Sequence, residues 1–383
     1  MPVRRILGLP KHSFFLFGPR GAGKSTWLHA VLPHAHFIDL LDEGLYQQYL
    51  AAPGIFAAEM RALAGDRWVV IDEIQRLPNL LNEVHRFIEE KRLRFVLCGS
   101  SARKLKRAGV NLLAGRAALY SMHPFVPEEL GKGFDLESAI RYGLLPIVWD
   151  APDKPATLSA YAQLYLKQEI QAEALVRNLP GFVRFLPIAA LFHGQTINVS
   201  NIAREAGVAR TTITGYLDIL EETLLCFRLS GYEARLRVRE RKLPKWYWCD
   251  PGITRAMKHA TGAVVQEERG ALFEGLVAQT IRACKDYHGI CDDWHYWAPA
   301  DSRDTEVDFL LSRSSSIVAI EAKAGTRYME SWSRGLRAAA ALKGLKRRIV
   351  VYAGKTVLRT EDGIEVLPFE RFAELLASDT LWP

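Results

Sequence analysis

The sequence of 383 residues has few cysteines and no long apolar segment. Its cysteines, Cys98, Cys226, Cys249, Cys284 and Cys291, are odd in number and form no CxxC pair. This argues against a disulfide framework or a zinc site and for a reducing compartment. No apolar run approaches the ~18 residues that a membrane-spanning helix needs, and the N-terminal stretch SFFLFGP is too short for a signal peptide. We therefore expect a cytoplasmic protein with no membrane partner.

Neither sign of charge dominates the sequence. The 50 Lys and Arg residues exceed the 43 Asp and Glu residues by a formal charge of +7, which permits a polyanionic partner without establishing one. With 49% hydrophobic and 24% charged residues, the composition is that of a globular protein. At roughly 150 residues per domain, the length predicts two to four domains.

A glycine-rich loop follows the first apolar run. Its sequence GPRGAGKS matches the phosphate-binding pattern GxxxxGK[ST] and lies between a predicted strand, Ser13–Phe17, and a predicted helix from Ser25. Backbone N–H groups of such a loop turn onto phosphate oxygens, and the helix dipole adds positive potential. We expect Lys24 to reach the β and γ phosphates of ATP, and Ser25 to bind Mg²⁺. The predicted nucleotide-binding residues are Gly18, Pro19, Arg20, Gly21, Ala22, Gly23, Lys24, Ser25 and Thr26.

A second, acidic motif supports nucleotide hydrolysis. The apolar run Trp68–Ile71 is typical of a central parallel strand and ends in Asp72 and Glu73. We expect Asp72 to hold Mg²⁺ and Glu73 to orient or deprotonate the attacking water. Alone, such an acidic pair could simply begin a helix. Together with the phosphate-binding loop it indicates a nucleotide site.

Two further residues are candidates for catalysis. Ser100 ends another buried strand, where related ATPases place a residue that senses the γ-phosphate, but it could equally cap a helix. Arg116 precedes a later strand. It could stabilise transition-state charge within the chain or on a neighbouring subunit of a homo-oligomer, or it could be an ordinary surface arginine. With His36–Asp42 as one more strand, five strands alternate with helices, which predicts a doubly wound α/β sheet of the additional-strand type.

The character of the chain changes after residue 130. Segment 131–195 shows helical periodicity after a proline-rich break at Ala151–Pro155, and we interpret it as a helical lid or connector. Segment 196–250 contains a helix-turn-helix pattern, in which Ser200 caps the first helix and Gly207 makes the turn.

The second helix of this pattern is a candidate for DNA contact. Arg210, Thr211 and Thr212 face outward at its N-terminus, where such folds present side chains to base edges. The next segment indicates the strands of a winged helix, with a basic run that could track phosphates: Arg235, Arg237, Arg239, Arg241, Lys242 and Lys245. The alternative is a winged helix that contacts protein, because acidic residues on the same helix would repel DNA: Asp218, Glu221 and Glu222.

A charged hairpin lies in the last third of the chain. Two strands joined by a five-residue turn, SRSSS, alternate so that one face carries apolar side chains: Val307, Phe309, Leu311, Val318, Ile320 and Ala322. The opposite face carries Glu306, Asp308, Glu321 and Lys323, and an amphipathic helix before the hairpin carries Glu274.

Glu274, Asp308, Glu321 and Lys323 are thereby predicted to converge. Carboxylates are ligands that Mg²⁺ prefers, and a lysine can position a nucleophilic water. The pattern D…ExK is that of the restriction-endonuclease-like fold. It leaves three alternatives open, namely a nuclease centre, an inactive copy of one and an ordinary hairpin.

Taken together, the motifs resemble those of one family, the uncharacterised prokaryotic AAA-type ATPases with a winged helix and a PD-(D/E)xK nuclease-like C-terminus. The resemblance covers nearly all 383 residues and is carried by GPRGAGKS, VVIDEIQRLP, LCGSSARKL, LLAGRAALYSMHPF, YLKQEI, YWCDPGI, ERGALFEGLVAQ and EVDFL with IEAK. It implies a cytoplasmic ATP-binding protein and little about its pathway.

We therefore expect a multidomain α/β protein. Its parts are a P-loop AAA-type ATPase domain at 1–130, the connector at 131–195, a winged helix at 196–250 and a nuclease-like α/β domain at 251–383. The expected function is Mg²⁺-dependent binding and hydrolysis of ATP, acting on DNA or regulated by it. The alternative is an ATP-driven switch or remodelling ATPase that binds protein partners through an inactive nuclease-like fold.

Overall fold

The computed structural model of the chain describes residues 3–100, 117–165, 178–232, 243–299 and 305–382. The chain divides into two compact units. The N-terminal unit comprises Leu7–His123 and the short segment Glu222–Leu224. The C-terminal unit comprises Met1–Ile6, Pro124–Glu221 and Leu225–Pro383. In the described ranges, no helix has the length and apolar character needed to cross a membrane.

A parallel five-stranded sheet forms the centre of the N-terminal unit, in the order β2-β3-β4-β1-β5. Its strands are β1 (Phe14–Phe17), β2 (His36–Asp39), β3 (Trp68–Asp72), β4 (Arg94–Gly99) and β5 (Ala118–Ser121). Each neighbouring pair is parallel, so the carboxyl ends of all strands meet at one edge. Strand β4 separates β1 from β3, as expected for a P-loop domain with an additional strand.

Both faces of this sheet are covered. All four residues of β1 are buried, although neighbouring side chains of a strand point to opposite faces. The helices of the unit are α1 (Lys24–Val31), α2 (Glu43–Ala51), α3 (Gly54–Ala62) and α4 (Leu80–Lys91), with a 3-10 turn at Ile74–Arg76. This confirms the prediction of an α/β domain with a parallel sheet.

The C-terminal unit begins with helices and a small sheet. Its first helices are α5 (Pro127–Leu130), α6 (Leu136–Tyr142), α7 (Pro146–Trp149), α8 (Lys154–Ala160), α9 (Leu179–Leu191), α10 (Val199–Ala206) and α11 (Arg210–Glu222). An antiparallel sheet of β6 (Gln195–Thr196), β7 (Cys226–Leu229) and β8 (Lys245–Trp248) has the order β6-β8-β7. The central strand of this sheet is therefore β8.

A six-stranded sheet follows in the same unit, in the order β13-β14-β12-β11-β10-β9. Its strands are β9 (Asp293–Trp297), β10 (Val307–Arg313), β11 (Ser316–Lys323), β12 (Leu345–Tyr352), β13 (Leu358–Arg359) and β14 (Glu365–Pro368). The remaining helices are α12 (Pro251–Met257), α13 (Gln266–His288), α14 (Arg334–Ala338) and α15 (Phe369–Ala377). Pairing is antiparallel from β9 to β11 and parallel from β11 through β12 to β14.

The predicted hairpin of β10 and β11 exists, but two of its expected details are wrong. Arg313 pairs with Ser316, so the turn has two residues rather than five, and Ser314 adopts a positive φ of 55°. Val307 does not share a face with Phe309, because an irregularity shifts the pairing of β10 with β9 between Val307 and Leu310. Val307 lies in one apolar cluster with Leu310, whereas Phe309 lies in another that includes α13 side chains. Both faces of the hairpin are consequently buried.

One predicted helix cap is also wrong. Ser200 lies inside α10, and the cap is Asn198, whose side chain accepts hydrogen bonds from Ser200 N at 3.0 Å and Asn201 N at 3.3 Å. Asn is as good a cap as Ser, so the sequence pattern alone does not decide between Asn198 and Ser200. The expected turn at Gly207 is present, with φ of 65°.

Candidate functional site

The phosphate-binding loop joins β1 to α1 at the carboxyl edge of the parallel sheet. Gly21 and Gly23 have φ of 79° and 85°, a region that side chains disfavour. Gly18 is required for a different reason, because a Cβ there would lie 2.4 Å from the carbonyl oxygen of Met122. The glycines therefore give the loop a tight curve that no bulkier sequence could follow.

Lys24 is held inside this curve. Its Nζ donates to the carbonyl oxygens of Gly18 at 2.8 Å and Pro19 at 3.4 Å, and the residue is only 8% exposed. Both acceptors are neutral. An anionic phosphate oxygen would be a stronger partner for the ammonium than either carbonyl.

Ser25 and Asp72 meet across the sheet edge. The Ser25 hydroxyl donates to Asp72 Oδ2 at 2.5 Å, although the two residues are 47 positions apart. The other oxygen, Oδ1, accepts from the backbone N–H of Glu73 at 3.0 Å. A hydroxyl and a carboxylate at a helix N-terminus beside a phosphate loop suit Mg²⁺, which takes few protein ligands along with phosphate oxygens. The residues present thus fit the predicted ion.

Glu73 follows Asp72 in a left-handed conformation, with φ of 56°. Its carboxylate accepts a hydrogen bond from the Gln75 amide, and the same amide lies 3.4 Å from the Ser100 hydroxyl. Gln75 is therefore a member of the site that sequence analysis missed. Its only sequence signal is a polar residue inside a buried segment. Gly99 makes room for it, because a Cβ there would lie 2.0 Å from Gln75 Oε1.

The remaining residues of the predicted nucleotide site lie partly inside and partly outside the described ranges. Pro19, Arg20, Ala22 and Thr26 lie in the loop and the first turn of α1, as expected. Ser100 is buried beside Gln75, and Arg116 falls in 101–116, outside the described residues. The helix that Ser100 could cap would also fall outside the described residues.

The C-terminal unit brings together the four residues predicted from the charged hairpin. Glu274 is on α13, Asp308 on β10, and Glu321 and Lys323 on β11. Asp308 Oδ2 accepts from the Ala322 N–H at 2.9 Å, and Lys323 Nζ donates to Glu321 Oε1 at 2.5 Å. Asp308 and Glu321 are 5% and 7% exposed, so this is a buried cluster and not a solvated face.

A fifth residue, Lys245, occupies the centre of this cluster, and its predicted place in an outward basic run is wrong. Its Nζ lies 3.0 Å from Glu274 Oε1 and 3.2 Å from Asp308 Oδ1, and it also contacts the Glu306 carboxylate. The Tyr247 hydroxyl donates to the same Glu274 oxygen at 2.6 Å. We call Lys245, Glu274, Glu306 and Asp308 the lysine-centred cluster.

Electrostatics in this cluster follow from burial and from the ammonium. Burial alone would lower the pKa of Lys245, but the neighbouring carboxylates, Glu274 foremost, raise it well above its usual value. Burial and the Asp308 charge raise the pKa of Glu274 to about 7. For Asp308, burial would raise the pKa, but Lys245 and then Lys323 outweigh it and keep the pKa low. Asp308 and Lys245 are therefore a charged pair at neutral pH.

The helix-turn-helix residues are placed as the sequence predicts. Arg210 and Thr211 are exposed and Thr212 is partly exposed at the N-terminus of α11, while Ile213 and Tyr216 face the core. The acidic residues on the same helix are not isolated charges. Arg228 on β7 contacts Asp218 Oδ1 at 2.8 Å and Glu221 Oε2 at 3.2 Å. The basic residues Arg235, Arg237, Arg239, Arg241 and Lys242 lie outside the described residues.

Three family models match successive parts of the chain. Residues 10–131 match the AAA domain, residues 133–263 match a domain of unknown function (DUF8612), and residues 269–372 match another (DUF4143). The AAA match covers the parallel sheet, the phosphate-binding loop and the Asp72–Glu73 motif. The N-terminal unit is therefore a P-loop domain of the AAA type.

Similar proteins are known along most of the chain. An uncharacterised protein of Mycobacterium tuberculosis is 26% identical over 377 residues, which is 96% of this chain and 82% of that protein. One of Haemophilus influenzae is 25% identical over 323 residues, 78% of this chain and 76% of that one. The Aeropyrum pernix ORC1 protein, solved in complex with DNA, is 13% identical and covers 66% of this chain and 87% of that one. Its TM-score of 0.26 does not establish a shared fold.

Proposed function

We propose that this protein binds and hydrolyses ATP with Mg²⁺. The observation that carries the proposal is the meeting of Lys24, Ser25, Asp72 and Glu73 at one edge of a parallel sheet, although the two pairs are 47 positions apart. Ligands of open α/β sheets bind at the carboxyl ends of the strands, which is where these side chains lie.

Each residue has a distinct part in this proposal. Lys24 exchanges its carbonyl partners for the β and γ phosphate oxygens, and the loop N–H groups bind the remaining phosphate charge. Ser25 and Asp72 hold Mg²⁺, which when bound neutralises charge on the phosphates. Glu73 orients the attacking water and accepts its proton, while the Gln75 amide positions the Glu73 carboxylate.

The test compares three variants of the full chain. Lys24→Ala should lose tight ATP binding, because the point charge on the phosphates is removed. Glu73→Gln should bind ATP normally and hydrolyse it about 10²- to 10⁴-fold more slowly, since an amide cannot accept the proton. Lys11→Ala, at an exposed lysine of the same unit, is the control and should behave as the parent. Hydrolysis by Glu73→Gln at the parent rate would remove Glu73 from its role.

We further infer that α9 to β8 form a winged helix that binds DNA. The supporting feature is the order of its elements: helix, strand, two helices and two strands, with the last strand central in the sheet. The N-terminus of α11 presents Arg210 and Thr211 to solvent. Arg228 offsets the acidic residues that would otherwise oppose a DNA phosphate backbone.

DNA binding is tested by removing the exposed N-terminal side chains of α11. Arg210→Ala with Thr211→Ala should weaken binding to duplex DNA, whereas Arg204→Ala, an exposed arginine on α10, is the matched control. If Arg210 contacts a phosphate, its loss should also reduce the slope of log affinity against log salt by about 0.9. Equal binding by all proteins would place the DNA contact elsewhere in the chain, and binding by none would favour the alternative of an ATP-driven switch that binds protein partners.

A further inference from the structure

Lys245 lies among acids that the D…ExK resemblance predicts to hold a divalent ion. Glu274 and Asp308 are two of the acidic residues expected to hold that ion, and each gives an oxygen to the Lys245 ammonium. A divalent ion ligated by both oxygens at about 2.1 Å would have to displace the ammonium or bind next to it despite the repulsion between the two positive charges. The residues present therefore do not fit a divalent metal.

Lys245 cannot easily leave this position. Its backbone lies in β8, the central strand of its sheet, and pairs with Thr196 on one side and Leu229 on the other. The side chain is 4% exposed, and the next three residues of the strand are all buried. Moving the ammonium into water would break the strand or leave carboxylates buried without a partner, which is costly.

Both oxygens of Asp308 are engaged, and Asp308 is common to any ion held together with Glu274 or Glu321. Asp308 Oδ2 accepts from the Ala322 backbone, and Glu274 Oε1 receives both the Tyr247 hydroxyl and the ammonium. Glu321 Oε2 is buried and has no hydrogen-bond partner among the described residues. Glu321 accepts from Lys323 on its own strand. Among the described residues, no three His, Cys, Asp or Glu side chains are placed to hold a metal ion.

We propose that Lys245 is the resident cation of this site. Its ammonium takes the place of the divalent ion, so this part of the chain binds no catalytic metal. The same contact fixes the three-stranded sheet of β8 to α13 and β10 within the C-terminal unit. The acids of the D…ExK pattern thus bind a lysine of the neighbouring sheet.

The proposal predicts a latent metal site that appears when the lysine is removed. The experiment uses the nucleotide-free full chain with Asp72→Asn, so that the phosphate-binding loop offers no carboxylate to metal. Mn²⁺ binding is followed by electron paramagnetic resonance. The Asp72→Asn protein should bind no Mn²⁺ at the lysine-centred cluster, so adding Asp308→Asn should leave its Mn²⁺ binding unchanged. Adding Lys245→Ala should create one Mn²⁺ site per chain, and adding Asp308→Asn to that variant should remove it.

Two results would overturn the proposal. One is Mn²⁺ bound to the parent and lost on Asp308→Asn, or DNA cleavage by the parent that Asp308→Asn abolishes. The other is a folded Lys245→Ala protein, judged by near-ultraviolet circular dichroism, that gains no Mn²⁺. If Lys245→Ala does not fold, Lys245→Gln takes its place. The Mn²⁺ titration of the Asp72→Asn protein tests the proposal in either case. No nucleotide is present, so the outcome is independent of ATP hydrolysis.

Discussion

Replacing Lys245 by methionine should destabilise the protein in a manner that depends on pH. Methionine keeps most of the apolar stem and removes the ammonium, so the change isolates the charge. The ammonium contacts three carboxylates, of which Glu306 is 31% exposed at its side chain and screened by water. Asp308 is the buried partner, at 7% exposure of its side chain, and Glu274 is partly buried, at 17%; both lose their counter-charge.

The magnitude follows from what these two acids retain. Removing one partner of a buried ion pair costs about 3–5 kcal/mol. Asp308 keeps the Ala322 N–H and the field of Lys323, and Glu274 keeps the Tyr247 hydroxyl. We therefore expect a loss of about 3–5 kcal/mol at pH 8, rather than twice that for two acids.

The sign of the pH dependence is set by proton binding. In the parent, the low pKa of Asp308 in the folded state contributes stability that is present above its unfolded pKa and lost as pH falls. Without Lys245, the pKa values of Asp308 and Glu274 in the folded state rise, so the folded variant binds more protons than the unfolded chain. The stability of the variant then falls with increasing pH, by up to about 1.4 kcal/mol per pH unit for each acid. At pH 4 we expect a smaller difference from the parent than at pH 8.

Urea unfolding at pH 4, 6 and 8 measures this dependence. Lys258→Met is the matched control: Lys258 pairs with Glu268 at 3.1 Å, but Glu268 also contacts Arg255 at 3.0 Å and so keeps a cation. The loss of stability in Lys258→Met should be small at every pH. A loss of stability in Lys245→Met that is equal at pH 4 and pH 8 would refute the reasoning, because it would show a packing defect and not an uncompensated charge.

Three other predictions concern other parts of the chain. Gly18→Ala should lower ATP affinity by about tenfold or more, measured by titration with a fluorescent nucleotide, because its Cβ would collide with the Met122 carbonyl. Glu129→Ala should cost about 3–5 kcal/mol in urea unfolding, since it leaves the buried Arg5 guanidinium without its 2.8 Å partner; an effect below about 1 kcal/mol would contradict this. Gln75→Leu should slow ATP hydrolysis without weakening ATP binding, and a parent-like rate would exclude a positioning role for the amide.

The sequence predicts best those features that are local in the chain. The phosphate-binding loop is one contiguous segment whose backbone path is determined by its own glycines, so Gly21 and Gly23 could be placed without knowledge of the rest. The same holds for α11, where helical periodicity separates the exposed Arg210 from the buried Ile213 and Tyr216. The AAA domain match covers the loop, whereas DNA contact by α11 stays a proposal.

Lys245 shows why the lysine-centred cluster could not be predicted in full. Its partner Asp308 is 63 positions away, and no periodicity connects the two. The one available signal is that Lys245 begins KWYW, a strand too apolar for an outward basic face. The error at Val307 has a related cause, because strict alternation assumes a regular strand and β10 is irregular where it meets β9.

Lys24 and Lys245, both buried, illustrate how the partners of a cation decide what it can do. Lys24 is held by neutral carbonyl oxygens of its own loop. An anion can replace them at little cost, because its attraction to the ammonium is stronger than theirs. Lys245 is held by carboxylates, so an anion gains little by replacing them, and on our proposal a divalent metal would have to displace the ammonium. The first arrangement is suited to binding a phosphate and the second to fixing a structure. On the two proposals made above, ATP binds in the N-terminal unit, and the lysine-centred cluster fixes β8 to α13 and β10 in the C-terminal unit.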